Sequence, residues 1–378
     1  PLATPETRIR ELLREEATTP FDLERGPLLR VRWLQRGEEE HHLVVTLHHL
    51  VADGWSASLM AREISRDYAR ALDARTGGGD GDPDTPSIDR DSAIHEPERW
   101  GPWCAEQRAW LESPECREEL AFWSDRLADV QPLELPADHL RPDRPSYRGR
   151  THGFRLPLDA TERLEGRCRE AGITPFAGLL GGFKALLHRY AGQTDLAVGT
   201  VVAGRTSRAS EEMLGLFANT VVVRTDIDPE GPVESLLVEV ARTSIEALGH
   251  QRAPFGAVVE AVQPPRDPSR NPLFQAAFLL QNQDTAPVEL PGTQSSAVTV
   301  ETGTAKFDLT LSAQREEDGY ALYFEYATDL FRAETVERMA RHLTTLLSAI
   351  ADGFTGPVAE LPMVRNRAEW TLTGPEWA

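Results

Sequence analysis

Two adjacent imidazoles followed at short range by a carboxylate, His48-His49-Leu50-Val51-Ala52-Asp53-Gly54, make the run best equipped for chemistry. Imidazole takes and returns a proton near neutral pH, which suits general-base work. At a strand end, neighbouring residues point to opposite faces, so the two rings do not address one reacting centre. That spacing speaks against a metal site drawn from this run. It favours a division of labour, with one histidine facing a cavity and the other held by packing and a hydrogen bond. A buried Asp53 needs a partner, because an unpaired interior carboxylate is very costly. Gly54 allows a tight turn or a close approach of substrate backbone. The run reads equally as a satisfied histidine pair in a turn, with Asp53 capping the next helix. Taken alone, it leaves both readings open.

The elements around the run follow from periodicity. A charged helix (Glu6 to Glu16) leads into Phe21-Asp22-Leu23-Glu24-Arg25-Gly26-Pro27. Alternation over Leu28 to Leu34 predicts a strand, with Leu43 to Leu47 as its hairpin partner. Beyond the run, the apolar stripe Leu59, Ile64, Tyr68, Leu72 predicts a helix. Residues 76–92, rich in Gly, Asp and Pro, predict an exposed loop. A Trp-rich helical region follows from Trp100 to Leu127. Residues 132–150 carry several prolines and little periodicity, and are expected to link two domains.

Strand and helix signals then alternate. Asp159 and Thr174 are expected to cap helices. Strands are expected at Leu196 to Val202, Thr220 to Thr225 and Phe274 to Leu280. A helix is expected from Leu236 to Leu248. Lys306 to Ala313 and Tyr320 to Tyr326 form a hairpin around Asp318-Gly319, and a last helix spans Ala333 to Ile350. The fold class is α+β in two lobes, residues 1–150 and 151–365, with 366–378 opening a further linker.

Composition narrows the function. Among 378 residues, Lys and Arg number 40 and Asp and Glu 60, a net charge of −20. A nucleic-acid binder needs a basic face to replace phosphate counterions, and an anionic membrane surface would repel this chain. No apolar run approaches a membrane span, and the N-terminus lacks a signal-peptide core. Cys104, Cys116 and Cys168 form no C-x-x-C pair and lack a paired histidine, so zinc, a disulfide scaffold and a thiol nucleophile are not expected. A cytoplasmic protein is the default expectation.

Further runs alter the weight of the histidines. Leu214-Gly215-Leu216-Phe217-Ala218-Asn219-Thr220, His250-Gln251-Arg252-Ala253-Pro254-Phe255 and Arg266-Asp267-Pro268-Ser269-Arg270-Asn271-Pro272-Leu273 follow in order. With His48 to Gly54 and Trp55-Ser56, they resemble the condensation domains of nonribosomal peptide synthetases. The first run resembles the family's HHxxxDG motif. The others resemble its G-x-F-V-N-T, H-Q-D-x-P-F-E and R-D-x-S-R-N-P-L motifs. Phe21 to Pro27, Ala203-Gly204-Arg205 and Lys306-Phe307-Asp308 also fit. The resemblance covers essentially the whole chain.

There are departures. Ala218, Arg252 and Gly256 stand where the family usually has Val, Asp and Glu. The family's first two motifs are missing, and Glu360-Leu361-Pro362-Met363 resembles its passage towards an adenylation domain. A piece of a larger synthetase is therefore expected.

The resemblance implies two chloramphenicol-acetyltransferase-like lobes forming a V-shaped pseudodimer, with the active site in a tunnel between them. It implies amide formation between a donor peptidyl or aminoacyl thioester and the amine of an acceptor aminoacyl thioester. Both are presented on phosphopantetheine arms of upstream and downstream carrier proteins. No cofactor or metal of its own is expected. His49 is the candidate catalytic residue, as a base or as a group that positions the amine. His48, Asp53, Gly54, Arg205 and Asn219 support it, and Arg205 is the expected partner of Asp53, tying its loop to the second lobe. Asn219 either faces the tunnel as a hydrogen-bond donor or serves the strand end.

Three rivals stand beside this reading. The epimerisation domain also carries HHxxxDG, although Trp55-Ser56 and the Arg266 run look more like condensation, especially the subtype joining an L donor to an L acceptor. A free-standing coenzyme A acyltransferase would not need the later motifs. A catalytically silent recruitment module would be expected to lose the histidine or occlude the tunnel.

Overall fold

Two compact units emerge from the computed structural model, which describes residues 6–76, 100–205, 207–281, 288–298, 300 and 302–364. Unit 1 takes Pro1–Ser113, Ala203–Ala218 and Gln283–Thr302; unit 2 takes Pro114–Val202, Asn219–Asn282 and Gly303–Ala378. The loop expected at 76–92 (from 77 onward) and the linker expected at 366–378 lie outside the described residues.

Unit 1 contains α1 (Glu6–Thr18), a hairpin of β1 (Leu29–Gln35) and β2 (His41–Leu47), α2 (Gly54–Thr76) and α3 (Trp100–Leu111). Trp33 pairs with Leu43 and Val31 with Val45 across the hairpin. Because side chains alternate along a strand, Leu29, Val31, Trp33 and Leu43 share one face, and all four are exposed. On the other face Arg30 and Arg32 converge on Glu16 of α1, whose side chain is 1% exposed. Two guanidinium groups thus compensate one buried carboxylate.

The Trp-rich stretch is two helices, not one. Pro114 opens α4 (Pro114–Arg126), and a proline inside a continuous helix would lose a hydrogen bond and clash with the preceding turn. The compact units consequently divide between Ser113 and Pro114, where the sequence pattern predicts the division after residue 150. The physical reason is local. The Trp123 indole donates to His250 O at 3.0 Å, the Ala253 amide donates to Glu119 at 2.9 Å, and Phe122 stacks on His250 with ring centroids 3.7 Å apart. These contacts hold α4 within unit 2. The proline-bearing stretch expected as a linker is also fastened there. Asp138 accepts from the Arg332 amide and the Thr335 hydroxyl at the start of the last helix, and Arg141 pairs with Asp308.

Unit 2 is built on a mixed six-stranded sheet. Its strands are β3 (Gly149–Pro157), β4 (Asp195–Val202), β5 (Asn219–Asp226), β6 (Ala276–Gln281), β7 (Leu309–Glu316) and β8 (Gly319–Ala327), in the order β3-β8-β7-β6-β4-β5. Strands β4, β6 and β7 run parallel; the other neighbours are antiparallel. The helices are α5 (Leu158–Glu170), α6 (Pro175–Ala191), the short α7 (Arg208–Glu211, in unit 1), α8 (Val233–Gly249), α9 (Phe255–Val262) and α10 (Ala333–Ala351).

Helix α6 starts as expected, with the Thr174 side chain accepting from the Ala177 amide, and is buried from Ala177 to His188. Phe176 and Phe183 meet Phe278 and Phe324 of the sheet. A Cβ on Gly181 would strike Leu237 of α8, and one on Gly182 would strike Leu347 of α10. Small residues therefore let both helices close on α6. Asp159 does not cap α5. Pro157 holds the N-cap position, and Asp159 sits in the first turn beside Arg163, where the helix dipole favours an acid.

Candidate active site

The histidine pair sits where β2 runs out. The His48 amide still donates to Leu28 O at 2.9 Å, extending the hairpin, and the Val51 amide then donates to His48 O at 3.0 Å to turn the chain. His48 is held by its surroundings: Nδ1 accepts from the Leu50 amide at 3.1 Å, and the ring meets Phe21 edge-on at 5.7 Å. His49 is exposed. Its Nδ1 lies 2.7 Å from Ala52 O. A carbonyl only accepts, so Nδ1 carries the hydrogen, and in the neutral ring the lone pair is on Nε2. That nitrogen can take a proton or accept a hydrogen bond.

Asp53 is the N-cap of α2, with Gly54 as the helix's first residue. Its Oδ1 accepts from the Ser56 amide at 2.8 Å, the Ser56 hydroxyl at 2.8 Å and Arg205 Nη2 at 2.9 Å. Its Oδ2 accepts from the Phe217 amide at 3.0 Å. The Asp53 and Arg205 side chains are 4% and 1% exposed. Burial alone would raise the Asp53 pKa. The Ser56 and Phe217 amides, the Ser56 hydroxyl and Arg205 outweigh it and hold the carboxyl below its ordinary value.

Arg205 is equally occupied. Nη1 donates to Ser210 O and to Met213 O, the latter at 2.7 Å, and the guanidinium lies 4.1 Å from the centroid of the Phe217 ring. Trp100 stacks on the same ring at 5.2 Å, and Trp103 meets it edge-on at 5.0 Å. The pair forms inside unit 1, because Ala203–Ala218 belongs to that unit, whereas the sequence pattern predicts Arg205 on the second lobe.

Four of the expected residues, His48, His49, Asp53 and Gly54, lie on one turn, and Arg205 joins them through Asp53. Asn219 belongs to unit 2. Its Nδ2 donates to Gln251 O at 2.8 Å and Ala253 O at 2.7 Å, and its Oδ1 accepts from the Phe255 amide at 3.1 Å. All of its side-chain groups are spent on the turn that starts α9. That geometry ties the first residue of β5 to the turn before α9.

Sequence reasoning missed Ser56 as a hub. Its buried hydroxyl bonds Asp53, Arg205, Gly215 O and Gly215 N. The available signal was an N-cap aspartate followed three residues later by a serine. Among the described residues, no group of three or more His, Cys, Asp or Glu side chains is placed to hold a metal ion, and no helix is long and apolar enough to cross a membrane.

The condensation-domain family matches residues 2–373, and the chain belongs to that family. It is 40% identical over 352 residues to phosphinothricin tripeptide synthetase PhsB of Streptomyces viridochromogenes, covering 92% of this chain and 28% of the relative. It is 37% identical over 343 residues to chondramide synthase cmdD of Chondromyces crocatus, covering 90% of this chain and 8% of the relative. The chain thus spans a small part of the curated relatives it matches. Among solved structures, the X-domain from teicoplanin biosynthesis superposes with a TM-score of 0.81 at 26% identity, covering 96% of this chain and 81% of that one. A four-domain nonribosomal peptide synthetase bound to AMP and glycine gives 0.76 at 25% identity, covering 97% of this chain and 28% of that one. The mixed α and β fold, with its large mixed sheet, is the chloramphenicol-acetyltransferase-like fold of condensation domains.

Proposed function

We propose that this chain forms an amide bond between two carrier-bound thioesters. The observation that carries the reading is the hydrogen bond from His49 Nδ1 to Ala52 O, which leaves the lone pair on Nε2. The acceptor amine attacks the donor thioester carbonyl. A C–N bond forms, the C–S bond breaks, the amine loses one proton, and the donor's pantetheine thiol is released with a proton. His49 Nε2 receives or orients that amine proton. Binding both substrates together supplies much of the acceleration, because effective molarity replaces a bimolecular encounter.

His48 and the Asp53–Arg205 pair are positioning groups. They hold the turn from which His49 projects and do not touch the reacting atoms. Asn219 orders the start of α9 in the same supporting sense. The partners are an upstream donor carrier and a downstream acceptor carrier, with an adenylation domain in the same synthetase, all acting in the cytoplasm. The enzyme binds no cofactor of its own; phosphopantetheine arrives with the carriers.

The test loads two carrier proteins chemically with donor and acceptor aminoacyl groups, adds this chain, and reads dipeptidyl-carrier product by intact-protein mass spectrometry. His49→Ala is expected to retain the wild-type circular dichroism and to lose product formation by ~10²–10⁴-fold. A folded wild-type chain that makes no product with any of several pairs overturns the reading. A folded His49→Ala at wild-type rate removes His49 from the reaction.

A further inference from the structure

Strand β3 is an edge of the six-stranded sheet, paired to β8; on its outer side the Gly149 amide donates to Gly303 O at 2.9 Å beside an Arg148–Thr304 bridge, and no strand pairs with the rest of it among the described residues. Beside it, α10 forms the opposite wall of a groove of about 700 Å³. His152 and Phe154 of β3 face Arg338, Ala340, Arg341 and His342 of α10, and Met363 lines the groove with them. Its walls and floor are thus a strand edge, a helix and a few apolar side chains. Recognition domains that add a peptide strand share this geometry: main-chain groups supply affinity and alternate side chains enter the groove.

The groove is locally basic in an acidic chain. The chain carries a net charge of −20, and Arg141, Arg155, Arg224 and Arg242 elsewhere in unit 2 each pair with a carboxylate. Arg338 and Arg341 have no carboxylate partner among the described residues; Arg338 reaches only hydroxyl groups, Thr335 Oγ1 at 3.2 Å and Tyr190. A third arginine nearby, Arg189, donates to Leu361 O at 2.9 Å and is likewise without an acid. One acid, Glu337, also lines the groove, unpaired with either arginine. His342 reports the resulting field. Burial and the three arginines push its pKa down to about 4, and its Nδ1 faces the Tyr190 hydroxyl at 2.9 Å. The local positive potential therefore comes from fixed guanidinium charge.

We propose that this groove binds an extended acidic segment of a partner protein, added as a further strand on the outer edge of β3. Apolar side chains of the segment rest on Phe154, Ala340 and Met363, and its carboxylates reach Arg338 and Arg341. A second copy of this chain is a poor occupant, since its β3, Gly149–Pro157, carries no acidic side chain to meet Arg338 and Arg341. The inference goes beyond the condensation reading and does not depend on it.

The test uses the full chain and a short fluorescein-labelled peptide alternating glutamate with valine, leucine and phenylalanine. Fluorescence anisotropy is expected to show saturable binding, and hydrogen exchange to show new protection within residues 150–156. Arg338→Glu with Arg341→Glu, both on an exposed helix face, is expected to weaken binding at least ~10-fold. Replacing glutamate by lysine in the peptide, or methylating alternate peptide nitrogens, is expected to abolish it. Absence of saturable binding, indifference to the arginine changes or tolerance of the methylated peptide overturns the proposal. So does binding seen only when the chain is ended at Val364, which would make the chain's own continuation the occupant. Self-association that the arginine changes disrupt would assign the edge to a second copy instead. No carrier substrate enters this assay, so its failure leaves the condensation reading untouched.

Discussion

Asp53 and Arg205 stand 152 residues apart in sequence and meet at 2.9 Å, with almost no solvent on either side chain. The contact joins the turn after β2 to the segment that leaves unit 2 after β4 and returns to it at β5. Each member has further partners: two backbone amides and a hydroxyl for the carboxylate, three carbonyls and an aromatic face for the guanidinium. Breaking one side leaves a buried charge with its other bonds still in place, which is the costly case for such pairs. Asp53→Ala is expected to destabilise unit 1 by ~3–5 kcal/mol, and Arg205→Met by a similar amount. The double variant is expected to cost clearly less than the sum, because no lone charge remains. Urea denaturation of the four proteins measures the coupling. Strict additivity would show that the two side chains do not depend on each other.

Acid should expose the same interaction. The folded-state pKa of Asp53 lies below its unfolded value. Its contribution is therefore fully present above the ordinary carboxylate pKa and is lost as pH falls through the folded value. Between neutral pH and the acid range, the advantage of the wild type over Asp53→Asn is expected to stay constant and then shrink below about pH 4. Thermal midpoints of both proteins across that range provide the comparison. A gap that widens on acidification would contradict the direction of the shift.

Lys184 gives a prediction in the alkaline range. It is fully buried in α6, and Nζ donates to Leu196 O at 3.0 Å, Val223 O at 2.7 Å and Thr225 Oγ1 at 2.9 Å. Among the described residues no carboxylate touches it, and burial pushes its pKa well below the ordinary lysine value. The wild type therefore gains stability as pH rises from the lowered folded value towards the unfolded lysine value. Lys184→Met removes this dependence together with the three hydrogen bonds from Nζ, at ~1–3 kcal/mol near neutral pH. The deficit of the methionine variant is expected to grow between pH 7 and 10. Urea titrations at those two limits decide it, and a deficit that shrinks with pH would reverse the assignment.

Why the sequence revealed the histidine turn but not its frame follows from the range of each signal. The His48 to Gly54 run, the hairpin before it and the Thr174 cap are local, and each appeared where its residue types placed it. Strand β3 went unread because Gly149 and Gly153 dilute its alternation of His152, Phe154 and Leu156, and only pairing with β8 makes it a strand. Helix α9 went unread because it is only eight residues long and directly follows Pro254; the Asn219 side chain fixes its start. The division between units was also hidden. The prolines at 132–145 resemble a linker in composition, and only the Asp138 and Arg141 contacts reveal that the stretch is packed.

Asn219 supplies the last prediction. Its amide donates twice and accepts once, and all three partners lie between Gln251 and Phe255. Asn219→Ala removes three hydrogen bonds and leaves the Phe255 amide and two carbonyls to find water. The expected cost is ~1–3 kcal/mol, with faster hydrogen exchange confined to residues 251–258. Asn219→Asp keeps the acceptor for the Phe255 amide but turns a carboxylate oxygen towards the Gln251 and Ala253 carbonyls. Repulsion replaces attraction there, so the aspartate is expected to be worse than the alanine despite its closer shape. Exchange rates and denaturation midpoints for the two variants give the order. An aspartate that behaves like wild type would show that the two carbonyl contacts contribute nothing, leaving Asn219 with only its bond to Phe255.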